Sequence, residues 1–373
     1  MTSAAKSALD KIINKGRIHL YKPIQIAEIL HHSRIYNDID IGNIASYRNK
    51  SKIWRDVVSR QLVGNVSTSS QKFQDNLFDE NAITPPQLQA LDVINKKGVG
   101  IVENYIYHRC KERWGLLSDI SNYISSATTE TFALDSMIGC FTEEKGLKRS
   151  IDKLYEIAVY ALFSTIVKEL NAIITLEIKN PEQNIVTDFQ GFINLIFGMK
   201  DKLAITAPAK LYRAGVTNAA DTGVDIWTNF GPFIQVKHLT LDKELIGDIT
   251  EGLIAESVII VCLDAEKDAI NSILSQIGWG KKIQGIITLN DLRHWYEICL
   301  HKYTLNMGKD LLNHLKSEFD REFPLVNKTD PFLKERGYDQ SKLSGEWELP
   351  KHCAVPRTFS LQDYMKSKMK TDP

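Results

Sequence analysis

Cysteine, long apolar runs and net charge are all scarce in this 373-residue sequence, and each scarcity removes a class of protein. The five cysteines, at 110, 140, 262, 299 and 353, are scattered, odd in number and without a CxxC pair. Such spacing builds neither a disulfide framework nor a zinc cage, so reduced, mostly buried thiols in an intracellular compartment are expected. The longest uncharged apolar run, 157–167, is too short to span a bilayer, and the first residues, MTSAAKSALDKIINKGR, hold no signal-peptide core. A cytoplasmic protein without a membrane partner follows as the expectation. Lys plus Arg and Asp plus Glu both total 46, which announces no general affinity for polyanions but permits a locally basic surface around an acidic site. Walker, GxSxG and GxGxxG loops are missing, as are internal repeats, which sets aside nucleotide-driven motors and the commonest hydrolases.

What is present divides the chain in three. Residues 1–149 read as a mainly helical domain, with apolar residues at helical spacing over 3–14, 23–31, 52–62, 85–95, 101–114 and 131–140. Residues 150–320 alternate helix and strand: a long apolar helix over 151–170, a strand over 172–178, a helix over 187–198 and a loop over 207–221 come first. Helices over 243–256, 265–277, 291–301 and 305–319 then alternate with strands over 258–263 and 284–289, so an α/β architecture with a mixed sheet covered by helices is expected. Residues 321–373, rich in Pro, Gly and charge, read as an extended C-terminal tail with a frayed end.

The chemistry concentrates in GVDIWTNFGPFIQVKHL, residues 223–239. β-branched and aromatic residues flank Asn229-Phe230-Gly231-Pro232, which predicts a hairpin of strands 224–228 and 233–239. Alternation places Asp225 with Trp227, and Gln235 with Lys237, on faces opposite Ile226, Ile234 and Val236. A hard divalent cation such as Mg²⁺ takes oxygen ligands, which Asp225, the Gln235 amide and the Val236 carbonyl can supply. Lys237 would then stand beside an attacking water and offset charge on a phosphate undergoing displacement. Two other acidic-x-Lys sets compete, Glu143-Glu144-Lys145 in a helical pattern and Glu177-Ile178-Lys179 in a strand without a hairpin; a purely structural hairpin is the third reading. His238 falls on the apolar face and reads as a hydrogen-bonded core histidine.

A second set of residues reads as a nucleic-acid contact. The window 47–60 carries Arg48, Lys50, Lys52, Arg55 and Arg60 against Asp56, interleaved with Tyr47 and Trp54, and Gln71 and Gln74 follow a Ser/Thr run. Basic groups reach phosphates and guanine edges while amides read other bases, although a solvated helix face and a polar connection are the plain alternatives. The first three helices also suit a helix-turn-helix, or simply a packed helical trio. Arg213, just before the hairpin, is a candidate phosphate contact.

The spacing Asp225-x9-Gln235-x-Lys237 resembles the signature of the PD-(D/E)xK nucleases in its Gln variant, with Val224 where that signature has Pro. KGRIHLYKPIQIAEILHHSR, YRNKSKIWRD, STSSQKFQDNLFDENA and YRAGVTNAADTGVDIWTNFGPFIQVKHLTL are similar to type II restriction endonucleases of the HaeII family, a likeness that runs to about residue 320. The resemblance implies a PD-(D/E)xK-like mixed sheet flanked by helices and a Mg²⁺-dependent homodimer cutting double-stranded DNA at a short palindrome, RGCGCY. It implies too that Glu156, on the helix ahead of the sheet, assists the cation, and that a cognate DNA methyltransferase acts on the same site without forming a stable complex. A structure-selective repair nuclease and a non-cleaving DNA-binding regulator with a degenerate nuclease fold are the alternatives.

Overall fold

A computed structural model describes residues 2–16, 18–67, 76–78, 82–143, 147–179, 181–214, 224–241, 257–265, 283–323, 329–338 and 343–349. Contacts divide the chain into two units, 1–154 with 316–373, and 155–315.

The first unit is helical because its apolar residues recur every three to four positions. Its helices are α1 (Thr2–Lys15), α2 (Tyr21–Ile35), α3 (Lys50–Val63), α4 (Pro85–Lys97), α5 (Ile101–Ser126) and α6 (Leu134–Glu143). Pro85 opens α4 with a φ already suited to a helix, and the Gln87 side chain reaches back to accept the Thr84 N–H. α5 is the axis of the unit, burying Val102, Tyr105, Ile106, Cys110, Trp114 and Leu117. Glu103 on α5 is wholly buried, and donors converge on it from His31 and Arg34 of α2, Asn95 of α4 and Tyr338.

Tyr338 corrects the expectation of an extended tail. The segment around it forms a helix, Thr329–Glu335, whose Phe332 packs on Tyr107 with ring centroids 4.8 Å apart. The Tyr338 carbonyl accepts from Asn104 Nδ2 at 3.1 Å, and Arg336 pairs with the buried Glu28 at 3.1 Å. Proline and charge made this stretch look unstructured, but its aromatics complete the helical core. Residues 350–373 lie outside the described residues.

The second unit begins within the helix α7 (Ile151–Glu169), whose apolar stretch Ile157, Ala158, Val159, Ala161 and Leu162 is buried. A two-stranded ribbon, β1 (Ile173–Glu177) antiparallel to β2 (Ala204–Pro208), brackets a helical excursion, Gln183–Asp188 and Gln190–Phe197. The main sheet comprises β3 (Leu211–Arg213), β4 (Ile226–Thr228), β5 (Phe233–Val236), β7 (Val258–Val261) and β9 (Ile283–Ile287), in that spatial order. Short strands β6 (Thr240–Leu241) and β8 (Asp264–Ala265) pair separately. β3, β4 and β5 are antiparallel, while β5, β7 and β9 run parallel, so the sheet is mixed. The near-continuous apolar run of β7, buried at Val258, Ile260 and Val261, is what a central parallel strand requires. Helices Leu289–Glu297 and Lys309–Glu322 follow, the former capped by Thr288 and Asp291, which exchange side-chain-to-backbone hydrogen bonds. The expected helix 243–256, and all but the first residue of 265–277, lie outside the described residues.

Among the described residues, Cys110, Cys140, Cys262 and Cys299 form no disulfide and are buried, and no helix is long and apolar enough to cross a membrane.

Candidate active site

The hairpin forms as its composition predicts, with shorter strands. Ile226 pairs with Ile234 and Trp227 with Phe233. The turn closes through Gly231, whose φ of 122° disfavours any side chain, while Thr228 Oγ1 donates to the Pro232 carbonyl at 2.9 Å.

Asp225 stands one residue before β4, clamped on three sides. Its N–H donates to the Ile234 carbonyl at 3.2 Å, its carbonyl accepts from the Ala214 N–H at 2.8 Å, and its Oδ2 accepts from the Val236 N–H at 2.8 Å. Successive residues of a strand send their backbone groups to opposite edges. The Lys237 N–H donates to Val261 of β7 at 2.8 Å, so the N–H and carbonyl of Val236 both point to the β4 side, where Asp225 sits. Gln235 is only 5 % exposed, and its Oε1 is buried with no donor among the described residues. An unsatisfied buried acceptor is disfavoured by about 1–3 kcal/mol, and an ordered water, an ion or a ligand is what satisfies one. By alternation Gln235, the half-buried Lys237 and Asp225 share a sheet face, so carboxylate, amide oxygen, backbone carbonyl and ammonium stem meet at one end of the hairpin. Among the described residues no three of His, Cys, Asp and Glu gather as a metal cage. The oxygen donors here are mixed, carboxylate, amide and backbone carbonyl, a set of the kind that suits a hard cation such as Mg²⁺.

Glu156 and Arg213 are brought together, but not with that set. Glu156 Oε1 and Arg213 Nη1 lie 3.3 Å apart, with side chains 3 % and 0 % exposed. Arg213 is in register with Ile226 and, through it, Ile234, which places the pair on the sheet face opposite Gln235. There the two charges are buried against each other, on the face opposite the Asp225 set. Tyr155, next to Glu156, explains His238: the rings meet edge to face at 5.4 Å, and the Tyr155 hydroxyl donates to the Cys262 carbonyl at 2.9 Å. The thiol of Cys262 is pushed up to about 11, chiefly by burial, so it stays protonated.

One feature of the site face escaped the sequence reading. Tyr212 and Trp227 are register partners, and their rings stack 4.2 Å apart with both still exposed to solvent. Trp227 follows Asp225 by two residues, which puts the stack about 7 Å along the strand from the carboxylate. The i, i+2 spacing held the signal, but its partner lay in a stretch read as loop.

In the first unit the basic window divides. Arg48 is exposed and Lys52 partly so. Arg55 is buried: it donates to Asp56 Oδ1 at 2.8 and 2.6 Å and to Gln25 Oε1 at 3.3 Å, so it braces α2 against α3 and offers nothing to a base. Trp54 lies flat on His32, centroids 3.5 Å apart. Gln71, Gln74 and most of the loop 207–221 are outside the described residues. Of the competing sets, Glu177 is exposed on the β1–β2 ribbon opposite Ala204, away from the main sheet, and Glu143 ends helix α6.

The sequence profile described as HaeII restriction endonuclease matches residues 5–338. The type II restriction enzyme NgoBI of Neisseria gonorrhoeae is 48 % identical over 341 residues, 90 % of this chain and 96 % of that one. The type II restriction enzyme HaeII of Haemophilus aegyptius is 43 % identical over 341 residues, 90 % of this chain and 97 % of its own. No solved structure matches the chain. With a profile covering nearly the whole chain and two such relatives, the protein belongs to the HaeII restriction endonuclease family and is a type II restriction endonuclease.

Proposed function

We propose that this chain cuts both strands of DNA at a short palindrome, with a divalent cation, Mg²⁺ above all, held by Asp225, the Gln235 amide oxygen and the Val236 carbonyl. The observation that carries the reading is the buried, donor-free Gln235 Oε1 beside a carboxylate fixed by the Val236 N–H. When bound there, the cation polarises the phosphodiester and lowers the pKa of water. The chain's own residues do the rest. Lys237 orients the attacking water and offsets charge on the phosphate, leaving 5′-phosphate and 3′-hydroxyl ends. Asp225 is held in place by three backbone hydrogen bonds, so little reorganisation is needed as the cation arrives. The mixed sheet with α7 on one face suits a PD-(D/E)xK nuclease core.

In this reading Arg48 and Lys52 contact phosphates from the helical unit, and Gln71 and Gln74 are its candidate base readers. A self-complementary target favours a homodimer with one active site per strand. RGCGCY is the recognition sequence that the resemblance implies, and the protein works in the cytoplasm alongside a separate DNA methyltransferase. Digestion of unmethylated plasmid in Mg²⁺ is the test: discrete fragments ending in one sequence support the reading. Intact plasmid across several divalent metals, with binding retained, refutes cleavage, and preference for branched substrates refutes sequence-directed cutting.

A further inference from the structure

The helical excursion between β1 and β2 exposes more apolar surface than it buries. Val186, Ile193 and Met199 form its small core, packed by Ile178, Phe197, Leu203 and Ile205. Outside that core Ile185, Phe189, Phe192, Leu195 and Ile196 are each more than half exposed, Leu195 at 85 %. Beside them lies an apolar cleft of about 320 Å³, lined by Pro181 and Phe197 among other apolar side chains. Five such side chains leave on the order of 600 Å² of apolar surface in water, at the upper end of what a monomer carries in a single patch. The ribbon adds exposed Leu176, the register partner of Ile205, which packs on that core. Together they approach the roughly 800 Å² that each partner of a stable interface contributes.

We propose that this face is where a second copy of the same chain docks, which gives the homodimer of the preceding reading its surface. Residues 183–197 carry a single charge, Asp188, and no Lys, Arg or His, so they offer nothing to a phosphate backbone. A charge-poor, aromatic-rich patch is the composition of a permanent homodimer interface. A patch that pairs with itself about a two-fold axis needs no complementary surface elsewhere on the molecule. The patch includes neither Tyr212 nor Trp227 of the hairpin's exposed stack.

Sedimentation of the full-length protein, alone and on a cognate duplex, tests this with Leu195→Glu and Ile196→Glu, two exposed positions whose replacement leaves the local core intact. The wild type should be a dimer, and each variant should dissociate at a concentration at least about 100-fold higher while keeping the wild-type far-UV circular dichroism spectrum. Labelling of Leu195→Cys by a maleimide, in a Cys353→Ser background, should slow about tenfold as the dimer forms, an independent readout if a glutamate variant fails to fold. A variant that dimerises as tightly as the wild type, or a Leu195→Cys thiol labelled equally fast in dimer and monomer, overturns the surface while the two-copy reading stands. A wild type that stays monomeric both free and on DNA overturns the two together.

Discussion

Replacing Gln235 with methionine should make the protein more stable and inactive at once. The side chains have similar volume, and the position is buried, so methionine fits without opening a cavity. What changes is the acceptor: Oε1 has no donor among the described residues, and removing it relieves a penalty of about 1–3 kcal/mol. In a unit of this size each kcal/mol moves the melting temperature by about 2–4 °C, so a rise of several degrees is expected in EDTA. In millimolar Mg²⁺ the order should shrink or reverse, because only the wild type gains stability from a bound cation. Gln235→Glu should behave oppositely, destabilised in EDTA by a buried carboxylate and rescued by the metal. Scanning calorimetry with and without Mg²⁺, alongside plasmid cleavage, reads all three proteins. If the methionine variant melts lower than wild type in EDTA, or still cleaves, Gln235 is an ordinary hydrogen-bonded core residue and the cation reading loses its foundation.

Other consequences follow from named contacts. Glu156→Ala removes a buried carboxylate that faces the buried Arg213 guanidinium, and should destabilise by about 3–5 kcal/mol, whereas Glu156→Leu with Arg213→Met should recover most of that in urea melts. Burial alone would raise the Glu103 carboxyl, but donors from Arg34, His31, Tyr338 and Asn95 outweigh it and hold the group at about 2. Its folded pKa is depressed, so its contribution is fully present above the ordinary carboxylate range and is lost as pH falls toward 2; Glu103→Gln should flatten acid denaturation across that window. Trp227→Ala, which removes half of the exposed stack beside the site, should raise KM for DNA by about tenfold with the melting temperature unchanged, and indole fluorescence should respond to duplex binding in the wild type.

Sequence alone carried the hairpin because its turn chemistry and its alternation agree: Gly231 supplies the positive φ, and Asp225, Trp227, Gln235 and Lys237 fall on one parity. The end of β2 and all of β3 fall in the stretch 207–221 that reads as loop, because Leu211–Arg213 is short, Pro208 breaks the pattern, and β2 pairs with a strand some thirty residues upstream. Arg55 looked like a DNA contact because its partner Gln25 sits on another helix, thirty residues away, where no local pattern reveals it. Glu156 and Arg213 were each read as serving the site, yet their register places them on the far face and in contact with each other. In the C-terminal stretch, Phe332 and Tyr338 gain their ordering from α5, a contact across more than two hundred residues.

Lys237 is the residue on which cleavage at the hairpin depends most directly. Single-turnover cleavage of a cognate duplex in Mg²⁺ should fall by at least about 100-fold in Lys237→Ala, while affinity for the same duplex in Ca²⁺ stays within a few-fold of wild type. Cleavage at the wild-type rate in that variant would contradict the assignment of the hairpin as the active site.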